Sequence, residues 1–85
     1  MDEADLAGRT ALLPELFAGR LPESALDGLR AMARGGEWDE LLDLLVAALR
    51  QTRAVVTAQE RDQLRAVLTG WGLPTGEVDK LAVHE

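Results

Sequence analysis

Cysteine is absent from this 85-residue chain, so neither a disulfide nor a thiolate metal site can brace the fold. A small protein without such braces fits a reducing compartment, and the expected location is the cytoplasm. Histidine occurs once, at His84, penultimate in a terminus expected to fray into solvent. With no Cys, no second His and no phosphate-binding glycine pattern of the GxGxxG or Walker type, the common catalytic frameworks have no footing. Neither enzymatic activity nor a cofactor is expected. Long apolar runs are missing too, and the opening segment Met1 to Asp5 is acidic, through Asp2, Glu3 and Asp5, where a secretory signal carries basic residues ahead of an apolar core. The chain is expected neither to be exported by that route nor to enter a membrane. Basic residues number nine against fifteen acids, a net charge of −6. That balance disfavours nucleic acid, whose phosphates are met by clustered Lys and Arg, and points to a basic protein partner instead.

What is present is ample apolar matter, 47% of residues, beside 28% charged ones. A chain of that composition can offset its conformational entropy and fold unaided, as one domain over residues 1–85. At this length folding buries only about 60 to 65% of the surface the unfolded chain exposes, so stability should be modest. The charge is unevenly placed. Ten of the fifteen acids precede residue 44, against Arg9, Arg20, Arg30 and Arg34, while five acids and five bases follow.

Strand signals are sparse, the only short β-like run being Ala54 to Thr57, and helical periodicity dominates. The expected fold is therefore all-α, a compact bundle of four to five short helices. Leu6, Thr10, Leu13 and Phe17 mark a first helix, which Gly8 weakens and Pro14 should interrupt, closing near Gly19. A second helix is predicted over Pro22 to Arg34, with Pro22 at its first position, Ala25, Leu26, Leu29, Met32 and Ala33 on one face, and Gly35 and Gly36 as its stop. The third, Glu37 to Thr52, carries Trp38, Leu41, Leu42, Leu45, Ala48 and Leu49 on one stripe, widened by Leu44 and Val46. A helix this apolar must be enclosed and should form the centre of the core. Thr57, Ala58, Gln59 and Glu60 read as a capping box opening a fourth helix with Leu64, Val67, Leu68 and Trp71 inward. A short last helix is predicted from Gly76 to Val83, offering Val78, Leu81 and Ala82 to the core.

The densest charge lies at the start of the third helix, where Glu37, Asp39, Glu40 and Asp43 stand with no base from residue 35 to 49. Their spacing is not that of a calcium loop, and acids near a helix N-terminus are favoured by the macrodipole in any case. No metal site is expected. Like charges one turn apart are mildly destabilising unless something uses them. Two readings stay open: an ordinary solvated face, or a docking surface for a basic protein. Trp38 and Trp71 could anchor an interface, but both fall on the inward stripes of their helices, which assigns them to the core.

Gly36, Glu37 and Trp38, then Leu41, Leu42, Leu45, Val46 and Leu49, then Val56, Thr57, Glu60, Leu64, Leu68 and Gly72 together resemble small bacterial immunity proteins of polymorphic or contact-dependent toxin systems, the MafI-like group. The resemblance covers roughly residues 22 to 72. It implies a cognate immunity role, in which the protein binds and neutralises a basic toxin domain by covering its active site or another critical surface. Of the matching positions Gly36, Trp38, Thr57 and Glu60 read as structural, which leaves Glu37 on the partner side. Two other classes remain: a small regulatory or antitoxin-like adaptor without a toxin partner, and a homo-oligomer in which a second copy completes the leucine-rich third helix.

Overall fold

The computed structural model describes residues 2–84. Four helices run α1 (Glu3–Leu16), α2 (Glu23–Gly35), α3 (Trp38–Gln51) and α4 (Ala58–Gly70), and two-residue strands β1 (Val55–Val56) and β2 (Ala82–Val83) complete the order. The fold is an all-α bundle with one small strand pair.

α3 is its centre. Leu41, Leu42, Leu45 and Leu49 have no solvent exposure, and Val46 and Ala48 are buried beside them. Each enclosed leucine contributes about 1.5 to 3 kcal/mol relative to exposure. These leucines are covered by Leu29 of α2, Leu6 and Leu13 of α1, and Leu64 and Val67 of α4, all in one continuous core. The chain itself therefore completes the leucine stripe, and no second copy is needed to cover it.

α1 is not interrupted. Pro14 lies inside it and is buried. The ring costs the bond that its amide would have given Thr10 and crowds that carbonyl, while its full burial offsets part of that loss. Asp2 opens the helix, its Oδ1 accepting from the Asp5 backbone N–H at 2.8 Å. Helical geometry ends at Leu16 rather than near Gly19, and a 3-10 turn, Ala18–Arg20, carries the chain onward. Pro22 is the N-cap of α2 rather than its first residue, since its backbone is extended.

The C-terminal segment departs furthest from expectation. Instead of a helix over Gly76 to Val83, a 3-10 turn at Val78–Lys80 leads into β2, which pairs parallel with β1, Val55 against Ala82 and Val56 against Val83. α4 is the crossover that lets the two strands run parallel. Val78 and Leu81 are buried as expected, but Ala82 is exposed. Nor does the end fray at His84, whose backbone N–H donates to the Val56 carbonyl at 2.8 Å while the residue stays exposed.

The start of α4 is tied across the molecule. Thr57 Oγ1 accepts from the Glu60 N–H at 3.0 Å, and Glu60 Oε1 accepts from the Thr57 N–H at 2.9 Å, a complete capping box. Arg20 then grips both oxygens of Glu60 at 2.7 Å and also donates to the carbonyls of Val55 and Leu16. Its guanidinium lies 4.8 Å from the centre of the Phe17 ring. The Arg20 contact, followed by the Thr57 amide, holds the Glu60 carboxyl down at about 2, against the resistance of burial.

Candidate protein-docking edge

The acidic residues owe their placement to the α2–α3 turn. Gly36 adopts φ +68°, a left-handed conformation that costs glycine nothing. Its N–H bonds the Ala33 carbonyl at 3.2 Å and the Glu37 N–H bonds that of Met32 at 2.9 Å, the Schellman arrangement that closes α2. Glu37 is at the same time the N-cap of α3, so two helices meet at one residue.

Trp38, the next residue, turns inward. Its ring stacks on Trp71 at 6.4 Å between centroids and 17° between planes, and both are half-buried against the core. The Trp71 indole N–H donates to Thr10 Oγ1 at 3.0 Å, and that buried hydroxyl donates to the Leu6 carbonyl at 2.7 Å. The two tryptophans thus form one stacked pair that locks the start of α3 to the end of α4 and to α1. Sequence periodicity assigned each to the core separately and could not foresee the stack, because they lie on different elements.

With Trp38 fixed inward, helical spacing puts Asp39, Glu40 and Asp43 outward, and all three are exposed together with Glu37. Glu40 follows the Glu37 cap by one turn, and Glu37 raises its pKa, first through a hydrogen bond shared between the carboxyls and then by repulsion, with Asp39 adding to the effect. Asp43, one turn further, lines a groove of ≈ 670 Å³ whose apolar lining includes Val46, Ala47, Leu73 and Pro74. The Arg50–Glu77 ion pair stands in the same groove. The groove was not foreseen, since it forms only where the segment after α4 folds back on α3. Leu73 and Pro74 after the Gly72 stop were the available signal.

The four carboxylates also differ in their partners. Glu15, Asp27, Glu60, Asp62, Glu77 and Asp79 each meet an Arg or Lys. Among the described residues, none of Glu37, Asp39, Glu40 and Asp43 does, nor do Asp2, Glu3, Asp5 and Glu23 at the starts of α1 and α2, but only on α3 do four such acids fall within seven residues. The described residues also contain no group of three or more side chains placed to hold a metal ion, and no helix long and apolar enough to cross a membrane. What the arrangement can do chemically is present an uncompensated negative edge, on a rigid helix, beside an apolar groove. Compared with known proteins, the chain matches no family model, no curated protein and no solved structure, so its functional reading rests on this geometry.

Proposed function

We propose that this chain is a protein-binding module that docks the α3 edge, Glu37, Asp39, Glu40 and Asp43, against a basic surface, and that its role is that of an immunity protein neutralising a bacterial toxin domain. The observation that carries the binding reading is the density of unpaired charge on one helix: six acids elsewhere are matched by Arg or Lys, whereas these four, within seven residues at the start of α3, stay exposed with no base among the described residues. Charge left uncompensated on a rigid element favours fast, oriented association, because little side-chain or backbone freedom remains to be lost on docking. Asp43 at the lip of the groove lets an apolar side chain of the partner enter beside the charged contact. The toxin assignment adds the sequence resemblance, and a nuclease-like target suits it, since clefts that hold nucleic acid are basic.

Growth of a host expressing a toxin domain encoded beside this gene tests both parts. Protection by the parent chain, lost in the E40K/D43K double variant at equal expression, supports the reading. Equal protection by the variant would move the docking surface elsewhere, and no protection by the parent would refute the immunity role.

A further inference from the structure

We infer that the outer face of α1 is a docking surface for a second copy of this chain, the two α1 helices crossing antiparallel about a two-fold axis at Leu12, with Arg9 of each copy opposite Glu15 of the other. Leu12 is 69% exposed and Leu16 41%, an unusual expense of leucine on a helix whose inner face already carries Leu6 and Leu13. Both line a groove of ≈ 660 Å³ between α1 and α4, floored by Leu13, Ala66 and Val67 and bordered by Arg9 and Asp62. No residue of α3 contributes to it, so this surface is separate from the acidic edge.

The choice of occupant rests on symmetry. Gly8, Arg9, Leu12, Glu15 and Leu16 share one helical face at spacings of three and four. Arg9 and Glu15 lie equally far on either side of Leu12, and so do Gly8 and Leu16. An antiparallel copy therefore brings base and acid to the same level twice, within reach of the long Arg9 side chain, with Leu12 meeting Leu12 between them. The space beside Gly8 is open, with no atom within 4 Å of where a Cβ would stand. Such self-complementarity is what a two-fold interface demands. Arg9 has no ion-pair partner among the described residues, and Glu15 is held in place by Arg30 of α2 at 2.6 and 3.1 Å with acceptor capacity to spare. One helix about 21 Å long offers a small interface, and the net charge of −6 opposes association, so the dimer is weak, with Kd of roughly 0.1 to 1 mM.

Sedimentation velocity of the full chain from about 10 µM to 1 mM tests it. The expected result is a mass rising from the 9.2 kDa monomer towards the dimer, with L12Q weakening association about tenfold at unchanged helical content. R9E and E15R should each weaken self-association about threefold or more, and the mixture of the two should recover it, because every cross-pair is then oppositely charged. Three results would overturn the inference: a monomer at 1 mM, an L12Q variant that dimerises like the parent, or a mixture no tighter than its components. The first would leave these leucines to a different protein or to solvent.

Discussion

α3 and α4 are stabilised by opposite means. α4 buries only Leu64, Val67 and Leu68, and its ends are finished locally: a full capping box with Arg20 behind it at the start, and Gly72 at φ +75° after the end. α3 buries six residues, and its ends are poor. Its N-cap Glu37 makes no capping bond, acids crowd its first turn, and its left-handed terminal position is Arg53 at φ 54°. The hydrogen bonding after α3, Arg53 N–H to Arg50 O and Ala54 N–H to Leu49 O, repeats that of Gly72 and Leu73 after α4. A helix held by its buried face does not need favourable ends, so residues there are free for another use. Glu40 and Glu60 show the difference directly, since each stands three residues after its N-cap, one pushed up by a carboxylate and the other pulled down by an arginine.

Removing what holds α4 should have the largest effect. Glu60→Gln keeps a capping side chain but breaks the ion pair with Arg20. A folded pKa of about 2, below the ordinary 4.5 of the unfolded chain, contributes stability that is present above pH 4.5 and lost as pH falls towards 2. The variant should lose about 1 to 2 kcal/mol at neutral pH, solvent around the partly exposed Arg20 screening part of the pair, and show a flatter pH dependence between 4.5 and 2 by urea unfolding. Thr57→Ala should cost about 0.5 to 2 kcal/mol in the same assay, with partner binding unchanged.

At the ends of α3 the sign reverses. Arg53→Gly relieves a side chain in a left-handed conformation and should raise stability by up to about 1 kcal/mol, read as a higher urea midpoint. Glu40→Gln should give the smallest gain. Because Glu37 raises its folded pKa, Glu40 costs stability as pH rises through 4.5 and beyond, so the substitution should raise the midpoint at pH 7 and leave it unchanged at pH 3. A loss at either position would show that the ends of α3 serve the fold after all.

Local and periodic signals were legible in the sequence. The capping box, the Gly36 stop and the α3 stripe required only residues a few positions apart, and each is realised in the fold. Pro14 misled because its cost was weighed without the burial of its ring, which depends on neighbours from other elements and offsets part of the lost bond. The Gly76 to Val83 segment misled because its apolar spacing suits a short helix, while the pairing that draws it into β2 comes from β1, across all of α4. Long-range contacts of that kind escaped sequence reasoning generally: the grip of Arg20 on Glu60, the Trp38–Trp71 stack and the groove beside Asp43. The acidic edge was legible as a set of residues, but its lack of basic partners was not, since that depends on where the arginines fold.

That lack of partners is the central claim, and association kinetics across a salt series test it most directly. With a basic toxin domain as ligand, the parent chain should associate rapidly at low salt and slow steeply as salt screens the edge. The E40K/D43K variant should associate severalfold more slowly, with a flatter salt dependence and the same helical spectrum. A variant that associates at the parental rate with the parental salt slope would contradict the account, leaving Glu37, Asp39, Glu40 and Asp43 as a solvated face.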